Sequence, residues 1–208
     1  MNLILLIQEN PFLNSFFRII TSFIKIVPFY VFLEYFHESN ELNIKPKLDN
    51  YDIKALNPDD MEHIASSGEV PESEATLLDR LNNGCNCYGI TYEDNIAAFS
   101  WYNLNYLDYN VKLKFMLKHD EAYLFDARTF KKFRGKNLAP FLRSHIYTHL
   151  KQQGRTKYYS TSSVANTSAI KFKEKLKANK YRLYVYISIF KKLNFSILIK
   201  EYFDPGLR

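Results

Sequence analysis

Residues 121–154, EAYLFDARTFKKFRGKNLAPFLRSHIYTHLKQQG, change hydrophobic period once, and that change decides the fold. Tyr123, Phe125, Ala127 and Thr129 alternate with Leu124, Asp126, Arg128 and Phe130, and the aromatic and β-branched content predicts a mostly buried strand. From Leu138 the apolar residues recur at Phe141, Leu142, Ile146 and Leu150, the spacing of a helix that buries one face. Gly154 is its natural stop. Between strand and helix, Phe133-Arg134-Gly135-Lys136-Asn137-Leu138-Ala139 puts small and basic residues where a helix exposes its first unpaired N–H groups. That is anion-binding geometry. The helix dipole, Arg134 and Lys136 would supply positive potential, and Gly135 would let the backbone approach a pyrophosphate without a Cβ in the way. The same residues also suit an ordinary strand-to-helix turn with solvated cations.

The 208 residues are 47% apolar, enough for one sizeable core and too apolar for a disordered chain. Cys85 and Cys87, the only cysteines, lie two apart in a strand-like run and so share a face. They form neither a disulfide framework nor a Cys-x-x-Cys site, which points to a reducing, cytoplasmic compartment. The net charge of +6 suits an anionic ligand or surface. Much of the excess falls in Lys131, Lys132, Arg134, Lys136 and the run from Lys171 to Lys180, near the anion site, and no nucleic-acid partner is expected. His145 and His149 have a spacing that can bind zinc, but no third ligand is marked, so no metal site is expected.

Residues 1–35 are the most apolar part of the chain, yet they lack the order of a secretory signal, and Arg18, Lys25 and Pro28 interrupt any membrane span. Asn10-Pro11 predicts a helix start, with the helix reaching about Ile26 and an apolar face that includes Phe12, Phe16, Ile19, Ile20, Phe23 and Val27. Such a stripe must be covered, by the protein's own domain first, by peripheral membrane contact through residues 10–27 second, or by a second subunit third. Pro28 is expected to end this helix and Phe29 to Phe36 to form a strand, so residues 1–50 are read as an N-terminal segment and 51–208 as the main domain. Tyr51 to Leu56 predicts a strand, Asn57-Pro58 a capped helix, and Pro71 to Leu81 a second helix closed by Asn82-Asn83-Gly84. Cys85 to Tyr92 and Ile96 to Leu104 predict a hairpin turning at Glu93-Asp94-Asn95, with Trp101 and Tyr102 as packing residues or a pocket wall. Residues 103–120 give no clear pattern and read as a substrate-side loop. Lys157 to Ser162 reads as a strand, Asn166 to Leu176 as a helix, and Tyr181 to Phe190 with Phe195 to Phe203 as a closing antiparallel pair. Strands and helices in this order predict a mixed α/β sheet.

Arg134-Gly135-Lys136-Asn137-Leu138-Ala139 resembles the acetyl-CoA signature of the GCN5-related N-acetyltransferase (GNAT) superfamily, Gln/Arg-x-x-Gly-x-Gly/Ala, at the end of that family's fourth strand. Asn137 stands in place of the signature's middle glycine, and Asn tolerates left-handed backbone better than other non-glycines. The segment from Asn166 is similar to the family's Asn-x-x-Ser/Ala helix, and the resemblance spans Tyr51 to Phe190. It implies a mixed, mostly antiparallel central sheet flanked by helices, here with an added N-terminal helix and strand. It also implies acetyl-CoA as co-substrate, bound by Ala127, Thr129, Arg134, Gly135, Lys136, Asn137, Leu138, Ala139 and Asn166. The expected activity is acetyl transfer to a small-molecule or peptide primary amine by a monomer or homodimer. A non-catalytic CoA-binding module, or an acyltransferase with a different donor, is the alternative. Acyl transfer needs a base for the amine, and Glu121 at the start of the strand and Asp126 within it are the candidate catalytic carboxylates. The family's frequent general acid is a Tyr in the Asn166 helix, whereas the matching stretch reads Ile170-Lys171-Phe172-Lys173. Tyr158, Tyr159 or water is then left to protonate the thiolate.

Overall fold

The computed structural model describes residues 23–36, 44–109 and 113–202. Among the described residues, ten strands and four helices run in the order β1 (Ile24–Tyr35), β2 (Asp52–Ala55), α1 (Pro58–Ser66), α2 (Glu74–Asn82), β3 (Asn86–Tyr92), β4 (Asn95–Asn103), β5 (Tyr106–Tyr109), β6 (Leu113–Met116), β7 (Glu121–Thr129), α3 (Leu138–Gln152), β8 (Lys157–Ser163), α4 (Thr167–Lys175), β9 (Asn179–Ile189) and β10 (Leu193–Glu201). Eight of the strands form one sheet in the order β10-β9-β1-β8-β7-β4-β3-β2, while β5 and β6 pair separately. Among the described strands of that sheet, only β7 and β8 run parallel. This is the mixed, mostly antiparallel α/β fold that the resemblance implies.

Local chemistry sets the element ends. Asn57 caps α1 in a reciprocal box, its side chain accepting from the Asp60 N–H while the Asp60 carboxylate accepts from the Asn57 N–H. Ser73 caps α2, so this helix begins at Glu74 rather than at Pro71. The β3–β4 turn carries positive φ at Glu93 and Asp94, the geometry a two-residue hairpin demands.

One face of the sheet is covered by α3, whose Leu138, Leu142, Ile146, Tyr147 and Leu150 pack with Ile90, Ala98 and Leu124. The opposite side of the β3–β4 hairpin meets α1 and α2 through Met61, Ile64, Leu77, Phe99 and Trp101, together with Cys85 and Cys87. Both cysteines are free and buried on that same side. Trp101 is fully buried and therefore packs, and it does not line the cleft described below.

Two expectations change. The predicted N-terminal helix lies outside the described residues except for its end, and there residues 24–27 are strand, not helix. Pro28 therefore does not stop a helix. It sits within β1, where the ladder to β8 begins only at Phe29↔Ser163, so its missing N–H costs that ladder nothing. Alternation beyond it explains the preference: Phe29, Val31 and Leu33 face one buried cluster with Tyr123, Tyr159 and Tyr184. β1 is also hydrogen-bonded on both sides, to β8 and β9, so residues 24–35 are built into the sheet. The second change is at residues 103–120, which contain the β5–β6 ribbon; its Leu107 is fully buried.

Candidate functional site

β7 and β8 pair only from Glu121↔Lys157 to Tyr123↔Tyr159. Beyond that point β7 stays with β4 but carries a bulge. Trp101 pairs with Phe125 and Phe99 with Arg128, so three steps on β7 oppose two on β4, and Asp126 takes a positive φ of 44°. An extra residue bends the bulged strand. β8 meanwhile follows β1 as far as Ser163, and the two parallel strands part. The opening is a cleft of about 740 Å³ between β7, β8 and the two helices that follow them, α3 and α4. The backbone of β7 beyond Tyr123 has no ladder to β8, so its polar groups on that side are open to an extended ligand.

The wide end of the cleft holds the N-terminus of α3. Asn137, the N-cap of α3, is left-handed (φ 59°, ψ 21°) and makes no side-chain cap, which leaves the first N–H groups of the helix without a side-chain acceptor. Gly135 supplies the preceding left-handed step at φ +78°, and a Cβ there would meet nothing within 4 Å. Within the protein itself, then, it is the backbone angle that calls for glycine. Ala127, Thr129, Arg134, Ala139 and Asn166 line the cleft. Gly135, Lys136, Asn137 and Leu138 form the turn beside it: Leu138 is buried, Asn137 accepts from the Lys175 ammonium at 3.0 Å, and the Lys136 carbonyl accepts from the Lys47 N–H. Asn166 caps α4, its side-chain oxygen accepting from the Ala169 N–H at 3.0 Å.

The two carboxylates expected to act as bases part company. Glu121 lies at the closed end of the β7–β8 pair and outside the cleft lining. Its oxygens accept from the Tyr159 hydroxyl (3.0 Å) and the Lys118 N–H (2.9 Å). Asp126, at the bulge, lines the cleft. Arg80 reaches one of its oxygens at 2.7 Å and Arg128 the other at 2.6 Å, and Glu72 bridges the same two guanidiniums. Arg80 also stacks over Trp101 and Phe125, which fixes this four-charge cluster against the core. Tyr158 is buried and donates to the Arg155 carbonyl at 2.8 Å; neither it nor Tyr159 lines the cleft. Burial pushes the Tyr158 hydroxyl well above its usual range, and burial with the Glu121 charge does the same to Tyr159. His145 and His149 pack on the Tyr88 ring.

The narrow end holds a buried ionic cluster that the sequence reading missed. Glu34 of β1, wholly buried, accepts from Lys173 of α4 at 2.8 Å, from Arg143 of α3 at 3.5 Å, and from the hydroxyls of Tyr147 and Ser160. Burial pushes the Glu34 carboxyl up, but Lys173 and Arg143 outweigh it and hold it at about 2. Burial pulls the Lys173 ammonium down to about 8, with Glu34 opposing and the Arg143 charge reinforcing the fall. Lys173 and Arg143 both line the cleft, and Arg143 Nε is buried with no hydrogen-bond partner. A sequence signal existed: Glu34 is the one charge in the apolar run VPFYVFLEYF, and such a carboxylate needs a buried cation.

The acetyltransferase (GNAT) family matches residues 51–177. No curated protein matches the sequence. Among solved structures, a GNAT-family protein of Novosphingobium aromaticivorans DSM 12444 superposes with a TM-score of 0.55 at 18% identity, over 79% of this chain and 64% of that one. A tandem GNAT protein from the clavulanic acid biosynthesis pathway gives 0.59 at 11% identity, over 80% of this chain and 54% of its own. A GCN5-related N-acetyltransferase-like protein from Streptococcus suis 89/1591 gives 0.53 at 13%, over 86% and 68%. At these identities the likeness is one of fold, and the chain spans less than two thirds of the first and second of these structures.

Proposed function

The chain belongs to the acetyltransferase (GNAT) family, and from that premise we propose that it transfers an acetyl group from acetyl-CoA to a primary amine of a small molecule or peptide. The observation that carries the reading is the split between β7 and β8, which runs from an uncapped helix N-terminus at one end to ionisable side chains at the other. A pyrophosphate at Arg134 to Ala139 receives backbone N–H groups and the helix dipole. From Thr129 back to Leu124 the free backbone of β7 extends roughly 16 Å at strand rise. An extended arm laid there, as an added strand, carries its thioester past the Asp126 bulge to the apex of the split.

The amine must arrive neutral and lose a proton after attack. Of the two sequence candidates we assign this task to Asp126, because it lines the cleft and each carboxylate oxygen keeps a second lone pair beyond its bond to Arg80 or Arg128. Glu121 is assigned a structural part, tying β7 to β8 and to the Lys118 N–H. The proposal includes a reducing cytoplasmic setting, in keeping with two free buried cysteines.

Calorimetric titration with acetyl-CoA, followed by CoA release across a panel of amines, tests the reading. Binding with turnover is expected, with Asp126→Asn lowering kcat by about 10²-fold or more. Absence of binding to acetyl-CoA and CoA refutes it. Binding with CoA release no faster than slow hydrolysis, unchanged by Asp126→Asn, favours the non-catalytic module, whose motive is Asn137 at the signature's glycine position.

A further inference from the structure

When the C–S bond of a thioester breaks, its electron pair leaves on sulfur, and a proton must reach that sulfur for the thiol to depart. The described residues of the cleft offer few donors. Arg128, Arg134 and Arg143 do not release a proton in water. Asp126 and Glu69 are engaged as acceptors in ion pairs, and hydroxyls such as Thr161 and Ser162 are far too weak as acids. Tyr109 and Lys173 remain.

Position separates the two. Ser160, which bonds Glu34, is the residue directly after Tyr159, where the β7–β8 ladder ends, so the Glu34 carboxylate lies level with the apex of the split. Lys173 Nζ, 2.8 Å from that carboxylate, is therefore held at the apex from the α4 side. An acyl donor anchored by phosphate at α3 and stretched along β7 ends there. Tyr109 instead packs at a tilt on Phe29 in the cluster with Tyr123 and Tyr159, on the other face of the sheet from Glu34, and burial pushes its hydroxyl up, away from the thiol range.

We propose that Lys173 is a catalytic residue of this site, the general acid that protonates the sulfur of CoA as the tetrahedral intermediate collapses, with Glu34 and Arg143 as positioning residues. The inference rests on the acetyl-transfer reading above. The step balances. The amine nitrogen bonds to the acetyl carbon, the C–S bond breaks, the sulfur takes a proton from the Lys173 ammonium, and the proton lost by the amine goes by way of Asp126 and solvent to reload Lys173. The ammonium bonds Glu34 of β1, lies 5.1 Å from the centre of the Phe172 ring and feels the Arg143 charge from α3, while Arg143, Tyr147 of α3 and Ser160 of β8 meet the same carboxylate. Glu34 holds the ammonium in place, and burial, reinforced by the fixed Arg143 cation, lowers its grip on the proton to about 8. That lies near the roughly 8.5 of a simple thiol, a match that makes transfer close to thermoneutral.

Wild-type chain, Lys173→Arg and Lys173→Met are compared for acetyl-CoA affinity and for kcat between pH 6 and 10, with Tyr109→Phe as the rival donor. Arginine keeps the buried charge opposite Glu34 but cannot donate, so it is the variant that protects the fold. Expected are wild-type kcat falling as pH rises through about 8, Lys173→Arg with affinity within a few-fold and kcat about 10²-fold lower without that fall, and Tyr109→Phe near wild type. Wild-type turnover with Lys173→Arg equally fast, or the high-pH fall following Tyr109 instead, overturns this assignment alone. If the variants do not fold, wild-type kcat that stays level to pH 9.5 overturns it equally. A wild type that binds no acetyl-CoA overturns the acetyl-transfer reading, and the assignment with it.

Discussion

Replacing Glu34 by Gln, a change of one heavy atom, should be strongly destabilising. The carboxylate is wholly buried, and each oxygen serves a cation and a hydroxyl: Oε1 takes Lys173 and Ser160, Oε2 takes Arg143 and Tyr147. Glutamine keeps one acceptor and turns the other into a donor, so whichever way it flips, one buried cation faces an N–H group. Removing one partner of a buried pair costs about 3–5 kcal/mol. The depression of the Glu34 carboxyl from 4.5 to about 2 gives an independent figure of about 3 kcal/mol. For a chain of this size that lowers Tm by roughly 6–20 °C. Lys173 limits the loss, because without Glu34 it sheds its proton more readily. The pH dependence has a definite sign. A carboxyl whose folded pKa is depressed contributes stability that is present above about 4.5 and is lost as pH falls through about 2. Urea denaturation of both chains should therefore show a gap near 3 kcal/mol at pH 7 that narrows between pH 4.5 and 2. A gap below about 1 kcal/mol at pH 7, or one indifferent to pH, would refute the account of this cluster.

Two further expectations concern glycines. Gly135→Val should cost only the left-handed backbone, about 1–2 kcal/mol, since its Cβ meets no neighbour within 4 Å, while acetyl-CoA affinity measured by calorimetry drops; Gly135→Asn should lose less of both. A stability loss above about 3 kcal/mol for Val would show that the space is not open. Gly89 is the opposite case: a Cβ would stand 2.7 Å from Leu56 Cδ2, so Gly89→Ala should destabilise by about 1–3 kcal/mol through overpacking. Combining it with Leu56→Val should recover part of that loss in a urea melt, and strictly additive losses would count against the clash.

How much of this was legible in the sequence depends on whether a residue's role is local. The turn at Glu93-Asp94, the caps at Asn57 and Asn166, and the switch from period two to helical spacing at Leu138 are written in neighbouring residues, and each appears where the pattern puts it. Asn137 belongs with them, because its left-handed conformation needs only its own short side chain. Roles that depend on contact across the sheet were not legible. Nothing near Ile24 announces that β1 will enter between β8 and β9; the apolar residues 24–27 fit a helix stripe as well as a strand, and pairing to Tyr186 through Ile189 decides the matter. Glu121 and Asp126 look alike in a strand pattern, yet the bulge, which no spacing reveals, turns one into a cleft residue and leaves the other at the closed end. The cluster of Glu34, Arg143 and Lys173 gathers charges 109 and 139 positions apart. Each is out of place on its own element, a carboxylate in an apolar strand and cations on the inward side of two helices, and burial of any one alone would be costly. The sequence thus shows unpaired anomalies, and the sheet order supplies the pairing. Because that pairing falls at the apex of the only split between parallel strands in the described sheet, a cluster that joins β1, α3 and α4 also furnishes a proton where the proposed chemistry requires one.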